Sequence, residues 1–115
     1  MKDFLIQLLE TFGYPVRLQG SLQENEAYPD SFFTFWTNDS YDGNHYDNEP
    51  ISCIWYFDIN FYSTDPALVN TILLDAKALL KRNGFIISGR GYDVASDEPT
   101  HTGRGINAYI IEQED

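Results

Sequence analysis

A chain of 115 residues is long enough for one domain with one modest core, burying roughly 65% of its unfolded surface. Seven Lys and Arg against eighteen Asp and Glu give a formal net charge of −11, with no Lys or Arg between Arg17 and Lys77, so ordinary binding of nucleic acid through its phosphates is disfavoured. The one cysteine, Cys53, excludes an internal disulfide, and no apolar run approaches the length of a membrane span.

In chain order, Met1 to Leu5 does not read as a signal peptide, because Asp3 and then Glu10 interrupt it. Residues 3 to 12 read as a short helix with Phe4, Leu5, Leu8, Leu9 and Phe12 on one face and Asp3 near its positive end. Gly13 stops it and Pro15 prevents a restart. Val16 and Leu18 alternate with Arg17 and Gln19 as a short strand, and Gly20 to Ser31 is a polar, acidic loop. Phe32 to Thr37 is a β-branched and aromatic strand, and Asn38 to Glu49 a second polar loop.

The most regular stretch runs from Pro50 to Arg82. Ile51, Cys53, Trp55, Phe57, Ile59 and Phe61 are apolar at every second position, which predicts a strand with one face on a core. Cys53 then reads as a small buried hydrophobe. Asp65 as N-cap and Pro66 at the first helical position predict a helix start. Leu68, Val69, Ile72, Leu73, Ala76, Leu79 and Leu80 recur at three- and four-residue steps, and Lys77, Lys81 and Arg82 suit the negative end. Asn83-Gly84 closes the helix. Phe85 to Gly91 is a strand with Phe85 and Ile87 on one face, Tyr92 to Gly103 a third polar loop, and Ile106 to Ile111 a last strand with Ile106, Ala108 and Ile110 inward. The acidic tail from Glu112 to Asp115 is expected to fray.

The order α-β-β-β-α-β-β predicts an α+β, two-layer domain spanning residues 1–115. Its sheet is mixed or antiparallel, with about four to five strands and two helices on one face.

Eight Phe, eight Tyr and two Trp exceed what one small core needs, so some are expected at the surface, where aromatics mark interfaces. The plainer explanation is that Tyr is a common strand residue. The acidic interval holds Glu24, Glu26, Asp30, Asp39, Asp42, Asp47, Glu49, Asp58, Asp65 and Asp75. Such a surface repels DNA, mimics it, or meets a basic partner; acidity that serves solubility alone is the simpler account.

Motifs for chemistry are sparse. Asn38, Ser40, Asp42, Gly43 and Glu49 half-match a calcium loop, but the first ligand is not Asp, His45 stands where an apolar residue belongs, and the flanks read as strands. A hairpin loop with Asx turns explains the stretch better. His45 near Asp42 and Asp47, and His101 near Asp97 and Glu98, lack zinc spacing and read as solvated loop histidines. Gly89-Arg-Gly91 is not a phosphate loop; glycines within strands mark bulges or close backbone approach. Arg90 and Arg104, isolated cations, would pair with the acidic stretch of a neighbouring subunit if the protein assembles, and locally if it does not. No nucleophile elbow, catalytic carboxylate pair, metal site or cofactor fingerprint emerges, so neither an enzyme nor a cofactor is expected.

Several short patches carry a resemblance: Tyr14 to Gly20, Tyr28 to Trp36, Tyr46 to Asn48, Trp55 to Pro66, Leu80 to Phe85 and Asp97 to Gly105. Together they resemble the tail completion or tail-to-head joining proteins of tailed phages and prophages, which are related in fold to tail terminators. The resemblance implies a structural virion protein, assembled in the host bacterial cytoplasm, that forms a hexameric ring at the head-proximal end of the tail. Its partners would be further copies of itself, the tail tube protein and the head completion protein, with DNA passing through unbound. The carboxylates Glu24, Glu26, Asp30, Asp39, Asp42, Asp47 and Glu49 are then lumen or docking candidates, since repulsion keeps DNA from sticking. The family offers no catalytic residues. The competing expectation is an acidic inhibitor or DNA mimic that binds a basic partner.

Overall fold

The computed structural model describes residues 2–18, 29–42, 45–46, 49–50, 52–87, 89, 91–94 and 100–113. In chain order the elements are α1 (Lys2–Glu10), β1 (Val16–Leu18), β2 (Ser31–Asp42), β3 (His45–Tyr46), β4 (Glu49–Pro50), β5 (Ser52–Ser63), α2 (Pro66–Arg82), β6 (Ile86–Ile87), β7 (Tyr92–Val94) and β8 (Thr102–Gln113). Among the described residues this is an α+β fold with a six-stranded mixed sheet and a separate two-stranded ladder of β3 and β4.

The sheet order is β1-β2-β5-β8-β6, with β7 also on β8. β1 runs parallel to β2, and every other pairing is antiparallel. β5 is central and pairs over its whole length with β8, from Ser52 opposite Gln113 to Ser63 opposite Thr102. The other edge of β8 carries β6 and β7 end to end.

The twelve-residue alternation in β5 decides the layering. Phe57, Ile59 and Phe61 are buried, and Phe33 and Phe35 on β2 and Ile106, Ala108 and Ile110 on β8 share that side. Leu5 and Leu9 of α1 and Val69, Leu73, Ala76 and Leu80 of α2 close over them in one hydrophobic cluster. Both helices therefore lie on one face of the sheet. Trp55 is half-buried at the margin of this cluster, stacked on Phe57 with ring centroids 6.2 Å apart.

Capping sets the limits of α2. The Asp65 carboxylate accepts from the Ala67 N–H at 3.0 Å, and Pro66 opens the first turn. At the far end the Phe85 N–H reaches Leu80 O (3.0 Å) and the Gly84 N–H reaches Lys81 O (3.3 Å), with Gly84 at φ +95°. These two bonds form a Schellman motif, which folds Phe85 back onto the core beside Leu80. Phe85 stacks on Phe4 at 6.0 Å, tying the start of α1 to the end of α2.

Some boundaries differ from the sequence expectation. The sheet has six strands, not four to five. β2 runs on through Asn38 to Asp42 where a loop was expected, with a register shift between Thr37 and Ser40. The expected third loop contains β7, three residues too short to alternate visibly, and the start of β8, whose glycines hid the pattern. The strand expected over Phe85 to Gly91 is only Ile86–Ile87. The first helix ends at Glu10; Thr11, Phe12 and Gly13 donate to carbonyls three residues back, in a tightened turn, while Phe12 still packs against Phe33.

Candidate interaction surface

Among the described residues the second face of the sheet carries no helix. It is built from the alternate residues of the same strands, so the alternation that makes the core also fixes this surface. Three rows cross it. Phe32, Tyr62, Gly103 and Val94 form one; Arg17, Thr34, Asn60, Gly105 and Tyr92 form the next; Trp36, Asp58 and Asn107 form the third. Beyond them lie Tyr56, Tyr109 and Ile86, then Ile54 and Ile111.

The face is aromatic and apolar, with Phe32 buried in it and Tyr56, Tyr62 and Tyr109 half-buried. Phe32 and Tyr62 stack at 5.2 Å, and Tyr56 and Tyr109 tilt together at 5.5 Å. Trp36 is 47% exposed, and Tyr92, Ile86 and Ile111 are about as open. Gly103 and Gly105 are required here. A β-carbon on Gly103 would strike the Tyr62 ring, and one on Gly105 would strike the Asn60 side-chain oxygen and the Tyr92 ring. The glycines let large neighbours lie flat across β8.

Polar groups sit within this apolar frame. Thr34 and Asn60 are buried, and neither Thr34 Oγ1 nor Asn60 Oδ1 has a hydrogen-bond partner among the described residues. Asp58, half-buried, is opposite Trp36 on one side and Asn107 on the other. The Tyr92 hydroxyl donates to Asn107 Oδ1 at 2.9 Å. Burial, then the negative charge of Asp58, then Tyr62, push the Tyr92 pKa above its ordinary value.

The candidates named from sequence are scattered relative to this face. Glu24, Glu26, Asp47 and Arg90 lie outside the described residues. Asp39 and Asp42 fall on the far part of β2 and Glu49 on β4, with only their backbone described. Asp30 is exposed just before β2, and its carbonyl accepts the Thr64 N–H at 3.0 Å. Arg104 faces the helix side, opposite Phe61, and its Nη1 meets Asp93 Oδ1 at 3.0 Å within the same chain. With Lys77, Asn70, Leu73, Leu74 and Ile106 it lines a cleft of about 280 Å³ beside α2.

The half-matched calcium loop is divided between elements: Asn38, Ser40 and Asp42 continue β2, while His45–Tyr46 pairs with Glu49–Pro50. Gly43 and Asp47 lie outside the described residues. The Cys53 side chain, expected inward, lies outside the described side chains, as do Asp97 and Glu98. His101 is held between Pro29 O at 2.8 Å from Nε2 and Thr100 Oγ1 at 3.0 Å from Nδ1, and it meets the Phe32 ring edge-on. The carbonyl can only accept, so Nε2 carries the proton. The histidine joins Pro29, just ahead of β2, to the start of β8.

Sequence reading missed the face as a unit. In sequence Ser52, Asp58 and Asn60 are polar and Tyr62 amphipathic at the alternate positions of β5, and aromatics are in excess, but the alignment of Trp36, Tyr92 and Tyr109 with them depends on register. No protein-family model matches the chain, and no curated protein matches it either.

Proposed function

We propose that this protein is a structural assembly component that works by packing its helix-free sheet face against other protein subunits. The observation that carries this reading is the set of exposed apolar side chains, Trp36, Tyr92, Ile86 and Ile111, on a sheet face that carries no helix among the described residues. Exposed apolar surface marks contact sites, and Trp and Tyr are the residues that anchor them. The net charge of −11 argues against nucleic acid as the occupant.

The sequence resemblance supports a specific setting: a tail completion protein of a tailed phage or prophage. In this reading, copies form a hexameric ring at the head-proximal end of the tail, against the tail tube on one side and the head completion protein on the other. DNA passes through without being held, and the acidic stretch from Glu24 to Glu49 supplies lumen or docking carboxylates. The protein performs no catalytic step and needs no cofactor.

Addition of fluorescently labelled protein to purified tails that lack their completion protein tests this. One labelled spot per tail, at one end only, is the expected image. Label distributed along the tube, or none, contradicts the proposal. Capture of a basic host enzyme by protein that ignores tails would instead support the acidic-inhibitor reading.

A further inference from the structure

On its helix side the sheet runs on past its helices. Asp93, the residue of β7 opposite Arg104, has a side chain 90% exposed, so α2 stops short of that strand. The cleft of about 280 Å³ lies at this step, between α2 and β8. Leu73 and Ile106 are its buried apolar lining. Asn70, Leu74 and Lys77 follow one another at four- and three-residue steps, a single stripe of α2 along one side. Arg104, half-buried, lines it from β8.

Two features set this cleft apart. Leu74 is 59% exposed, the most open large apolar side chain among the described residues, and it stands outside the core cluster that the rest of the apolar face of α2 joins. Beside it are two cations, in a chain of net charge −11. The Lys77 ammonium donates to the Gly89 carbonyl and meets no carboxylate among the described residues. Arg104 pairs with Asp93, but that carboxylate stands almost wholly in water, so the pair is worth little. Half-buried cations against apolar lining attract a carboxylate more strongly than cations in open water, because the local dielectric is lower.

Charge complementarity and the apolar lining together call for a ligand that carries a carboxylate next to an apolar group. Neighbouring residues of a peptide supply both. The cleft is an open step beside a helix, so it accepts a chain that continues past both ends.

We propose that this cleft binds an acidic peptide segment of another protein, with an apolar side chain seated against Leu73, Leu74 and Ile106 and a neighbouring carboxylate held by Lys77 and Arg104. The site is on the opposite side of the sheet from the helix-free face. It therefore stands independently of the function proposed for that face and gives the protein a second, separate contact.

Fluorescence anisotropy with short labelled peptides tests the proposal. One peptide alternates Leu with Glu; in a second Gln replaces Glu, and in a third Ser replaces Leu. The Leu-Glu peptide should bind with a Kd on the order of 100 μM, and the other two at least tenfold more weakly. Lys77→Glu and Leu74→Ser should each weaken binding of the Leu-Glu peptide at least tenfold. Arg82→Glu makes the same change of charge on the other flank of α2, beside Thr11 and Phe12, and should leave binding unchanged. Trp36→Glu, on the helix-free face, should also bind as wild type does. Thermal melts check that the variants are folded. No binding of the Leu-Glu peptide up to about 2 mM overturns the proposal. Binding indifferent to Lys77→Glu and Leu74→Ser overturns it, as does an equal loss in Arg82→Glu or Trp36→Glu. Octanoate that binds more tightly than the peptide also overturns it, since the cleft would then be a site for a small amphiphile.

Discussion

The side-chain oxygen of Asn60 fills the space that a β-carbon on Gly105 would occupy. The two residues are direct partners across β5 and β8, and the Tyr92 ring closes over the same spot from β7. The centre of the open face is thus formed by a missing side chain on one strand and a polar side chain leaning from the next. Gly105→Ala should destabilise the fold by about 1–3 kcal/mol, as overpacking does. In an Asn60→Ala background the same change should cost at least about 1 kcal/mol less, because the colliding group is gone. Urea unfolding of the four proteins in this cycle measures both values; equal losses in the two backgrounds would dissociate the residues.

The depth of the core predicts a ranking along β5. Phe57, 1% exposed and in ring contact with Phe35, Trp55 and Phe85, should lose about 3–5 kcal/mol on change to Ala. Trp55→Ala should lose less, despite the larger side chain, because Trp55 sits half-buried at the margin of the cluster. Chemical denaturation of both variants checks the order.

Much of this core was legible in sequence, because one face of β5 and one face of α2 are marked by strict periods of two and of three to four. Ile106, Ala108 and Ile110 were placed inward by the same rule and are inward. The Asp65-Pro66 start and the Asn83-Gly84 stop carry their own chemistry and also held. The open face was less legible for a physical reason. Its residues come from six strands, and which of them are neighbours is set by pairing register, which a single strand does not encode. Gly103 and Gly105 broke the alternation at the start of β8 because they make room for Tyr62 and Asn60, so a required part of the surface looked like loop. Asp58 appeared as one carboxylate among ten in the acidic interval, although its place between Trp36 and Asn107 gives it a distinct setting.

Thr34 presents a buried hydroxyl with no hydrogen-bond partner among the described residues. Replacement by Val keeps the shape and removes the cost of that unmet group, so Thr34→Val should stabilise the protein by about 1 kcal/mol. Denaturant unfolding at a concentration low enough to keep the chain monomeric gives the value. A loss of similar size would mean that the hydroxyl is satisfied in solution.

Tyr92 gives the face a pH dependence. Its folded pKa lies above its unfolded value, chiefly through burial, with Asp58 and Tyr62 adding to it. The folded state therefore holds this proton more tightly than the unfolded chain does. The corresponding stability is fully present below the unfolded tyrosine pKa, near 10, and is lost as pH rises through the higher folded value. Stability of the wild type should fall more steeply above pH 10 than that of Tyr92→Phe. Parallel unfolding titrations from pH 8 to 11 compare the slopes, and identical slopes would remove Tyr92 from the account.

The central claim is that the helix-free face exists to meet other protein in a tail. Light scattering of the purified chain over a wide concentration range, with and without purified tail tubes, tests it most directly. The account predicts self-association of the free protein and saturable binding to tubes, limited to their ends and weakened by Trp36→Glu. A strict monomer at every concentration that is indifferent to tubes would contradict it.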